Sequence, residues 1–153
     1  MKATAVVEGG VLEISGTVSI GHRLGLKVFS GGQLILNSCT LTNLCGDLWD
    51  GIEADGQELE ANPIIQLSGD TKIEHARIGI HAIGSVNLNI AQGTFSNCVK
   101  SIELSACQQK DNYFGGLAFV SSGRLHRAEE GVRLDCFVSL DKSSMAISNS
   151  FFV

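Results

Sequence analysis

The chain has 153 residues, of which 44% are apolar and 18% charged, so it is long and apolar enough for one continuous core. Its net charge of −5 comes from 16 acidic and 11 basic residues without a basic run, which argues against a nucleic-acid backbone as partner. No stretch approaches the roughly 20 apolar residues of a membrane span, and no signal-peptide core follows Met1.

A short pattern of Gly or Ser, apolar, charged and apolar residues recurs along the chain. Its copies begin at Gly25, Gly51, Gly79, Ser101 and Gly131, so consecutive copies lie 26, 28, 22 and 30 residues apart. One such strand cannot bury its apolar side alone, and no helical period connects the copies. We therefore predict five strands of one parallel sheet, called here the Gly-led sheet.

A second pattern alternates with these copies and consists of an apolar residue, a short polar corner and another apolar residue. It occupies Ile14–Val18, Leu36–Leu41, Leu67–Ile73, Ile90–Phe95, Val120–Leu125 and Ile147–Phe151. The connections are too short and too rich in glycine for helical crossovers. The chain is therefore predicted to wind as a solenoid, in which each coil adds one rung to three parallel sheets at about 4.8 Å spacing.

Strand alternation predicts which residues of the solenoid stack inside. One inward column is expected from Leu41, Ile73, Phe95, Leu125 and Phe151, and another from Ile52, Ile80, Ile102 and Val132. The corner between these sheets is expected to hold Asn43, His75, Asn97 and Arg127 in equivalent places, as a structural ladder.

This arrangement resembles the right-handed parallel β-helix superfamily, the pectin-lyase-like solenoids that include pectin-active enzymes and many bacterial surface and secreted repeat proteins. The resemblance covers nearly the whole chain and implies an all-β, right-handed parallel β-helix of about five coils, forming one domain over residues 1–153. It also implies a secreted or cell-surface setting, although the chain carries no signal peptide. The NTD, GHG and RIK residue sets of the pectin-active enzymes are not matched.

The outward residues of the Gly-led sheet form a ladder of alternating charge. Its members are Lys27, Glu53, His81, Glu103 and Arg133. Unlike neighbours stabilise a parallel sheet, so the ladder is explained by surface packing alone. As an alternative, Glu53 and Glu103 lie two rungs apart, about 9.5 Å, near the upper limit for the carboxylates of inverting glycosidases. With His81 between them, these three are the candidate catalytic residues.

Loops beside this sheet supply candidate ligand-binding residues. Together with two ladder residues, the set is Asp47, Trp49, Asp50, Glu53, His81 and Tyr113, with Glu58 and Asp111 as further hydroxyl acceptors. Aromatic rings stack on sugars, and carboxylates accept hydrogen bonds from hydroxyls. Alternatively, Trp49 packs as a small core under its own loop. The acidic run from Asp47 to Asp55 lacks EF-hand spacing, so we predict no metal site and no cofactor.

The five cysteines form no CxxC pair. Cys39 alternates in phase with Leu41 and is expected to be buried and inert. Cys45 and Cys98 are predicted to lie two coils apart, too far for a disulfide. Cys107 and Cys136 fall on adjacent coils and are the only plausible pair.

The sequence predicts a non-catalytic solenoid module of a larger exported or surface protein, acting as a scaffold or interaction domain. The alternatives are a carbohydrate-binding module that uses the Gly-led sheet, and a polysaccharide hydrolase or lyase. The expected partners are polysaccharide or other protein domains, with no nucleic acid and no membrane span. The ends lack polar caps, which predicts that residues 1–153 are an excerpt of a longer chain and self-associate through their terminal coils.

Overall fold

The computed structural model describes residues 2–57, 61–107, 112–121, 136–143, 147–148 and 150–153. These residues form sixteen β-strands and no helix. In chain order the strands are β1 (Lys2–Val7), β2 (Val11–Ile20), β3 (Leu24–Val28), β4 (Gln33–Asn43), β5 (Trp49–Gly56), β6 (Ile64–Ser68), β7 (Lys72–Glu74), β8 (Ala76–Gly84), β9 (Asn87–Ile90), β10 (Gly93–Ser96), β11 (Lys100–Ser105), β12 (Tyr113–Gly115), β13 (Leu117–Val120), β14 (Cys136–Asp141), β15 (Ile147–Ser148) and β16 (Phe151–Phe152).

Two parallel sheets are built from these strands. Six strands of the described residues form one sheet in the order β1-β3-β5-β8-β11-β14, and the other ten form the second. Neighbours within a sheet come from successive coils, so the chain is an all-β parallel solenoid of about four turns. The predicted fold class is confirmed. The expected count of about five coils and the right-handed winding are not confirmed.

The second and third predicted sheets are joined by hydrogen bonds into the single ten-stranded sheet. In the first coils β2 and β4 continue through the corner, which Ser38 of β4 turns with a φ of 49°. In later coils the same path is divided into β6 and β7, β9 and β10, and β12 and β13. The ten-stranded sheet therefore presents two faces, one before the corner and one after it.

The first inward column is confirmed over three rungs and then departs from the prediction. Leu41 pairs with Ile73, and Ile73 pairs with Phe95. The next residue is Phe119, not Leu125. The rings of Phe95 and Phe119 stack with centroids 5.6 Å apart.

The end of this column is also shifted. The backbone of Phe152, not Phe151, pairs with Phe119, and Leu125 lies outside the described residues. The error at Leu125 arises because strand β13 ends at Val120, where the prediction began it.

The second inward column contains Ile52, Ile80 and Ile102 in register, and all three are fully buried. Its next member is Val138, not Val132. The strand that follows β11 is therefore β14, and the predicted fifth Gly-led strand at 131–134 lies outside the described residues.

The predicted corner ladder is likewise confirmed in its early rungs and differs from the prediction in its later ones. The register that pairs Glu74 with Ser96 places His75 beside Asn97, and both adopt left-handed φ values of 55° and 53°. The next corner residue is Ser121, because Asn97 donates its backbone N–H to the Val120 carbonyl. Arg127 lies outside the described residues.

No helix of the described residues is long and apolar enough to span a membrane.

Candidate functional site

The candidate site is the outward face of the six-stranded sheet, which corresponds to the predicted Gly-led sheet. Lys27 pairs with Glu53, Glu53 with His81, and His81 with Glu103, so four successive rungs carry the predicted ladder. The next rung contributes Ser139 rather than Arg133, which lies outside the described residues.

Burial explains why these side chains point outwards. Ile80 and Ala82 flank His81 in β8 and are fully buried, whereas His81 is half-buried on the outer side. The same alternation of buried and half-buried side chains surrounds Glu53 in β5. The ladder is thus fixed by the apolar residues on either side of each member.

Each glutamate of the ladder is engaged by a lysine. The Lys27 Nζ lies 2.6 Å from the Glu53 Oε1, and the Lys100 Nζ lies 3.1 Å from the Glu103 Oε1. Both carboxylates are mostly shielded, with side-chain exposures of 19%. The predicted pairing of Lys27 with Glu53 is therefore a close ion pair, and Glu103 has a partner that the ladder did not include.

Lys100 reaches Glu103 because the sheet contains a bulge. Residues three apart in a regular strand point to opposite faces. In β11, however, the two intervening residues Ser101 and Ile102 are both buried. The same irregularity occurs in β8, where one residue is inserted relative to β5 between Gly51 and Ile52. The only signal in the sequence is this broken alternation.

His81 lies between the two glutamates but bonds elsewhere. Its Nε2 is 3.3 Å from the Ser105 Oγ, two residues beyond Glu103 in β11. Ser105 is a neighbour that the sequence did not reveal, since it depends on the orientation of the imidazole. The candidate catalytic residues Glu53, His81 and Glu103 are thus brought together in one row, and each already has a polar partner.

The two aspartates of the preceding loop occupy different environments. Asp50 is half-buried, and its Oδ1 lies 3.6 Å from the Arg77 Nε on the next rung. Asp47 is exposed beyond the strand end. Among the described residues, no three His, Cys, Asp or Glu side chains come together in a way that could hold a metal ion.

Trp49 is not available as a stacking platform, which corrects its place among the ligand-binding residues. Its side chain is fully buried, and its Nε1–H donates a hydrogen bond of 2.7 Å to the Glu74 carbonyl oxygen. It joins the continuous core of the solenoid and not a separate cluster under its loop. Trp49 lies two residues before the buried Gly51, so strand alternation places both on the inward side. This alternation was the signal in the sequence for the burial of Trp49.

Tyr113 is exposed but lies on a different surface. It belongs to β12 in the ten-stranded sheet, where it pairs with Asn89. The structure therefore does not bring Tyr113 together with the charged ladder. The further acceptors Glu58 and Asp111 lie outside the described residues.

Three of the cysteines are buried thiols with little nucleophilic character. Burial raises the pKa of the Cys98 thiol to about 12, and it also raises the pKa of Cys39 and of Cys107. At neutral pH these three thiols therefore remain protonated, and the nucleophilic thiolate form is scarce. Cys45 is exposed and free.

The structure does not join Cys107 to Cys136, the one cysteine pair that the sequence left open. Cys107 is a free thiol whose backbone N–H donates to the Ser143 Oγ at 2.8 Å, beyond the end of β14. Cys136 instead pairs with Lys100 at the start of the same strands. About 20 Å of extended chain separates the two positions, far more than a disulfide spans.

The fold and the site define a parallel β-solenoid with a ladder of charged residues on the outward face of its six-stranded sheet. Both glutamates of this ladder form ion pairs with lysines. The chain matches no protein-family model, no curated protein and no solved structure. The likeness to the pectin-lyase-like superfamily therefore rests on the repeat pattern and on the solenoid architecture.

Proposed function

We propose that this chain is a non-catalytic β-solenoid module that acts as a scaffold or interaction domain. The observation that carries the proposal is the pairing of Glu53 with Lys27 and of Glu103 with Lys100. A glycosidase needs one carboxyl group as acid and a second as base or nucleophile. Here both carboxylates are occupied as partners of lysine ammonium groups, which favours a structural role for the ladder.

The proposed setting is a larger exported or surface protein. It rests on the resemblance to the right-handed parallel β-helix superfamily alone, in which one architecture serves many functions. A solenoid is suited to a scaffold because each coil contacts only its neighbours and the whole forms an extended surface.

Activity assays test the non-catalytic part of this proposal. The purified protein is incubated with pectin, polygalacturonate and related polymers, with and without calcium, and both reducing ends and unsaturated products are measured. We expect no release above that of a heat-denatured control. Turnover that disappears in Glu53→Gln or Glu103→Gln would overturn the proposal and identify an enzyme.

A distance measurement tests the scaffold part. One dye is attached to the exposed Cys45 and another to Lys142→Cys, in a Cys136→Ser background, and single-molecule energy transfer is recorded. Stacked coils predict one narrow distance distribution that is unchanged when a partner domain is fused to either end. A broad distribution would contradict a rigid scaffold.

Carbohydrate binding is a second candidate, on the face of the ten-stranded sheet before its corner. Gln66, Asn89 and Tyr113 occupy successive rungs of one outward row, and Tyr113 is 51% exposed. Amide groups that bond sugar hydroxyls beside an aromatic ring are typical of sugar-binding surfaces. This candidate site lies away from the Gly-led sheet on which the sequence placed it.

A glycan array with two variants tests this candidate. Tyr113→Phe keeps the ring and should retain binding, whereas Tyr113→Ala should lose it, because the ring face supplies the stacking. Equal binding by both variants would exclude Tyr113 as the platform, and no binding by the unmodified protein would exclude the face.

A further inference from the structure

A pocket of about 300 Å³ lies where the first three strands of the six-stranded sheet end. Its lining residues are Glu8, Phe29, Ser30, Asp55 and Gln57. The volume is at the lower end of the range for ligand pockets and suits a molecule of amino-acid size. None of these residues belongs to the charged ladder.

Register brings the central three side chains of the pocket into one row. Val7 pairs with Val28, and Val28 pairs with Ala54, and all three are buried. The following residues Glu8, Phe29 and Asp55 therefore lie side by side at about 4.8 Å spacing on the outer side. An aromatic ring is thus flanked by a carboxylate on each side.

The two carboxylates of this row differ from those of the ladder in their partners. Neither Glu8 nor Asp55 forms an ion pair with a cationic side chain in the part of the chain that the structure describes. One oxygen of Asp55 accepts the Gln57 backbone N–H at 3.0 Å, which holds the carboxylate in place. The pocket therefore carries two carboxylates that no cationic side chain of the described residues contacts directly.

The ring of Phe29 already attracts an ammonium group from its own strand. The Lys27 Nζ lies 5.7 Å from the ring centroid, within the range of a cation–π contact. Lys27 is also held by Glu53 at 2.6 Å, so its charge is shared with the ladder. The contact shows that the surroundings of this ring accommodate an alkylammonium ion.

A hard metal ion fits this pocket poorly. Calcium requires six to eight oxygen ligands, and a phenyl ring supplies none. An organic cation, in contrast, uses both components, because its charge attracts the carboxylates and its apolar stem packs on the ring. The pocket volume also exceeds what a bare ion would fill.

We propose that this pocket binds an alkylammonium group, as carried by a lysine side chain of a partner protein or by a free small amine. Glu8 and Asp55 supply the opposing charge, and Phe29 supplies the cation–π surface. The site adjoins the ladder at Lys27, but it does not depend on whether the solenoid lacks enzymatic activity.

Titration with three probes tests the proposal. Nα-acetyl-lysine amide represents a lysine in a polypeptide, cadaverine represents a free amine, and Nα,Nε-diacetyl-lysine amide lacks the charge. Binding is followed by calorimetry and by chemical-shift mapping on the labelled protein. We expect the charged probes to bind at Glu8, Phe29 and Asp55, the neutral probe to fail, and affinity to fall with added salt. Preference for the lysine amide or for cadaverine distinguishes the two sources.

Matched substitutions locate the site. Asp55→Asn, Glu8→Gln and Phe29→Leu should each weaken binding by about five- to tenfold. The controls Glu13→Gln and Asp70→Asn change exposed carboxylates elsewhere and should leave affinity unchanged. Melting curves confirm that every variant remains folded.

Four outcomes would overturn the proposal. They are the absence of binding by both charged probes, equal binding of the neutral probe, unchanged affinity in folded Asp55→Asn and Phe29→Leu variants, and displacement of the amine by millimolar calcium bound in its place.

Discussion

Adjacent residues of one strand occupy opposite environments in this solenoid, as Ile80 and His81 show. Ile80 is fully buried between Ile52 and Ile102, whereas His81 lies on the outer face. We expect Ile80→Asp to lower the free energy of unfolding by several kcal/mol, on the order of 4, because it buries an unpaired carboxylate. His81→Ala should cost less than about 1 kcal/mol. Urea denaturation measures both, and similar midpoints would contradict the assigned register.

Trp49 contributes a buried hydrogen bond as well as apolar area. In Trp49→Phe the Glu74 carbonyl oxygen loses its donor, and the smaller ring leaves a cavity. We expect a loss of about 1–3 kcal/mol in the free energy of unfolding. The control Tyr113→Phe changes a ring that is 51% exposed and should leave the unfolding midpoint unchanged. Equal stability of Trp49→Phe and the unmodified protein would remove the structural role of this bond.

Thiol reactivity separates the cysteines by their burial. Cys45 is exposed, whereas burial raises the pKa of Cys39, Cys98 and Cys107 and keeps each thiol protonated. At neutral pH we expect iodoacetamide to modify Cys45 well before these three, as mapped by peptide mass spectrometry. In Cys45→Ser none of the three buried thiols should be modified early. Early labelling of Cys98 in folded protein would contradict the burial of that coil.

At the scale of the strand, the bulge of β8 begins opposite Gly51 of β5. Its φ is 104°, and a Cβ at this position would collide with the carbonyl oxygen of Ile78. Gly46 has a φ of 84°, but a Cβ added there would meet open space. Both glycines therefore adopt backbone conformations that an alanine would strain, and only Gly51 is also crowded.

The two glycines provide a matched test of this crowding. Gly46→Ala should lower the free energy of unfolding by about 1 kcal/mol through backbone strain alone. Gly51→Ala should cost about 2 kcal/mol more, because strand β8 must move to admit the methyl group. Chemical denaturation compares the two variants. Equal losses in the free energy of unfolding would mean that the sheet accommodates the methyl group at Gly51 without an additional energetic penalty.

At the scale of the whole molecule, β2 pairs with β4 and with no second strand in the described part of the chain. Its ten residues include the exposed apolar side chains of Val11 and Val18. An open, apolar strand edge is a template for pairing with another chain. We therefore expect the predicted self-association through terminal coils to use this edge.

Sedimentation equilibrium over a wide concentration range tests this assignment on the 153-residue polypeptide. We expect association that weakens in Val11→Lys and Val18→Lys, because edge charges oppose strand pairing. The control Tyr113→Lys changes a side chain that is 51% exposed on β12, which is paired on both sides, and should not alter association. A monomer at every concentration would contradict the prediction.

The sequence by itself determined the fold class and the first four rungs of the charged ladder. Lys27, Glu53, His81 and Glu103 occupy the expected register because each is flanked by apolar residues that must face the core. This information is local to each strand, so one sequence suffices to find it. The burial of Cys39 follows from the same alternation.

Only the tertiary structure decided how the coils continue and which side chains meet between them. The rungs after β11 differ from the prediction because the length of a loop does not indicate where the next strand begins. Phe119 and Val138 occupy the column positions that the sequence assigned to Leu125 and Val132. The bulge that aligns Lys100 with Glu103 likewise depends on the neighbouring strand. The row of Glu8, Phe29 and Asp55 joins residues 21 and 26 positions apart. Such contacts are fixed by inter-coil hydrogen bonds, which no local pattern specifies.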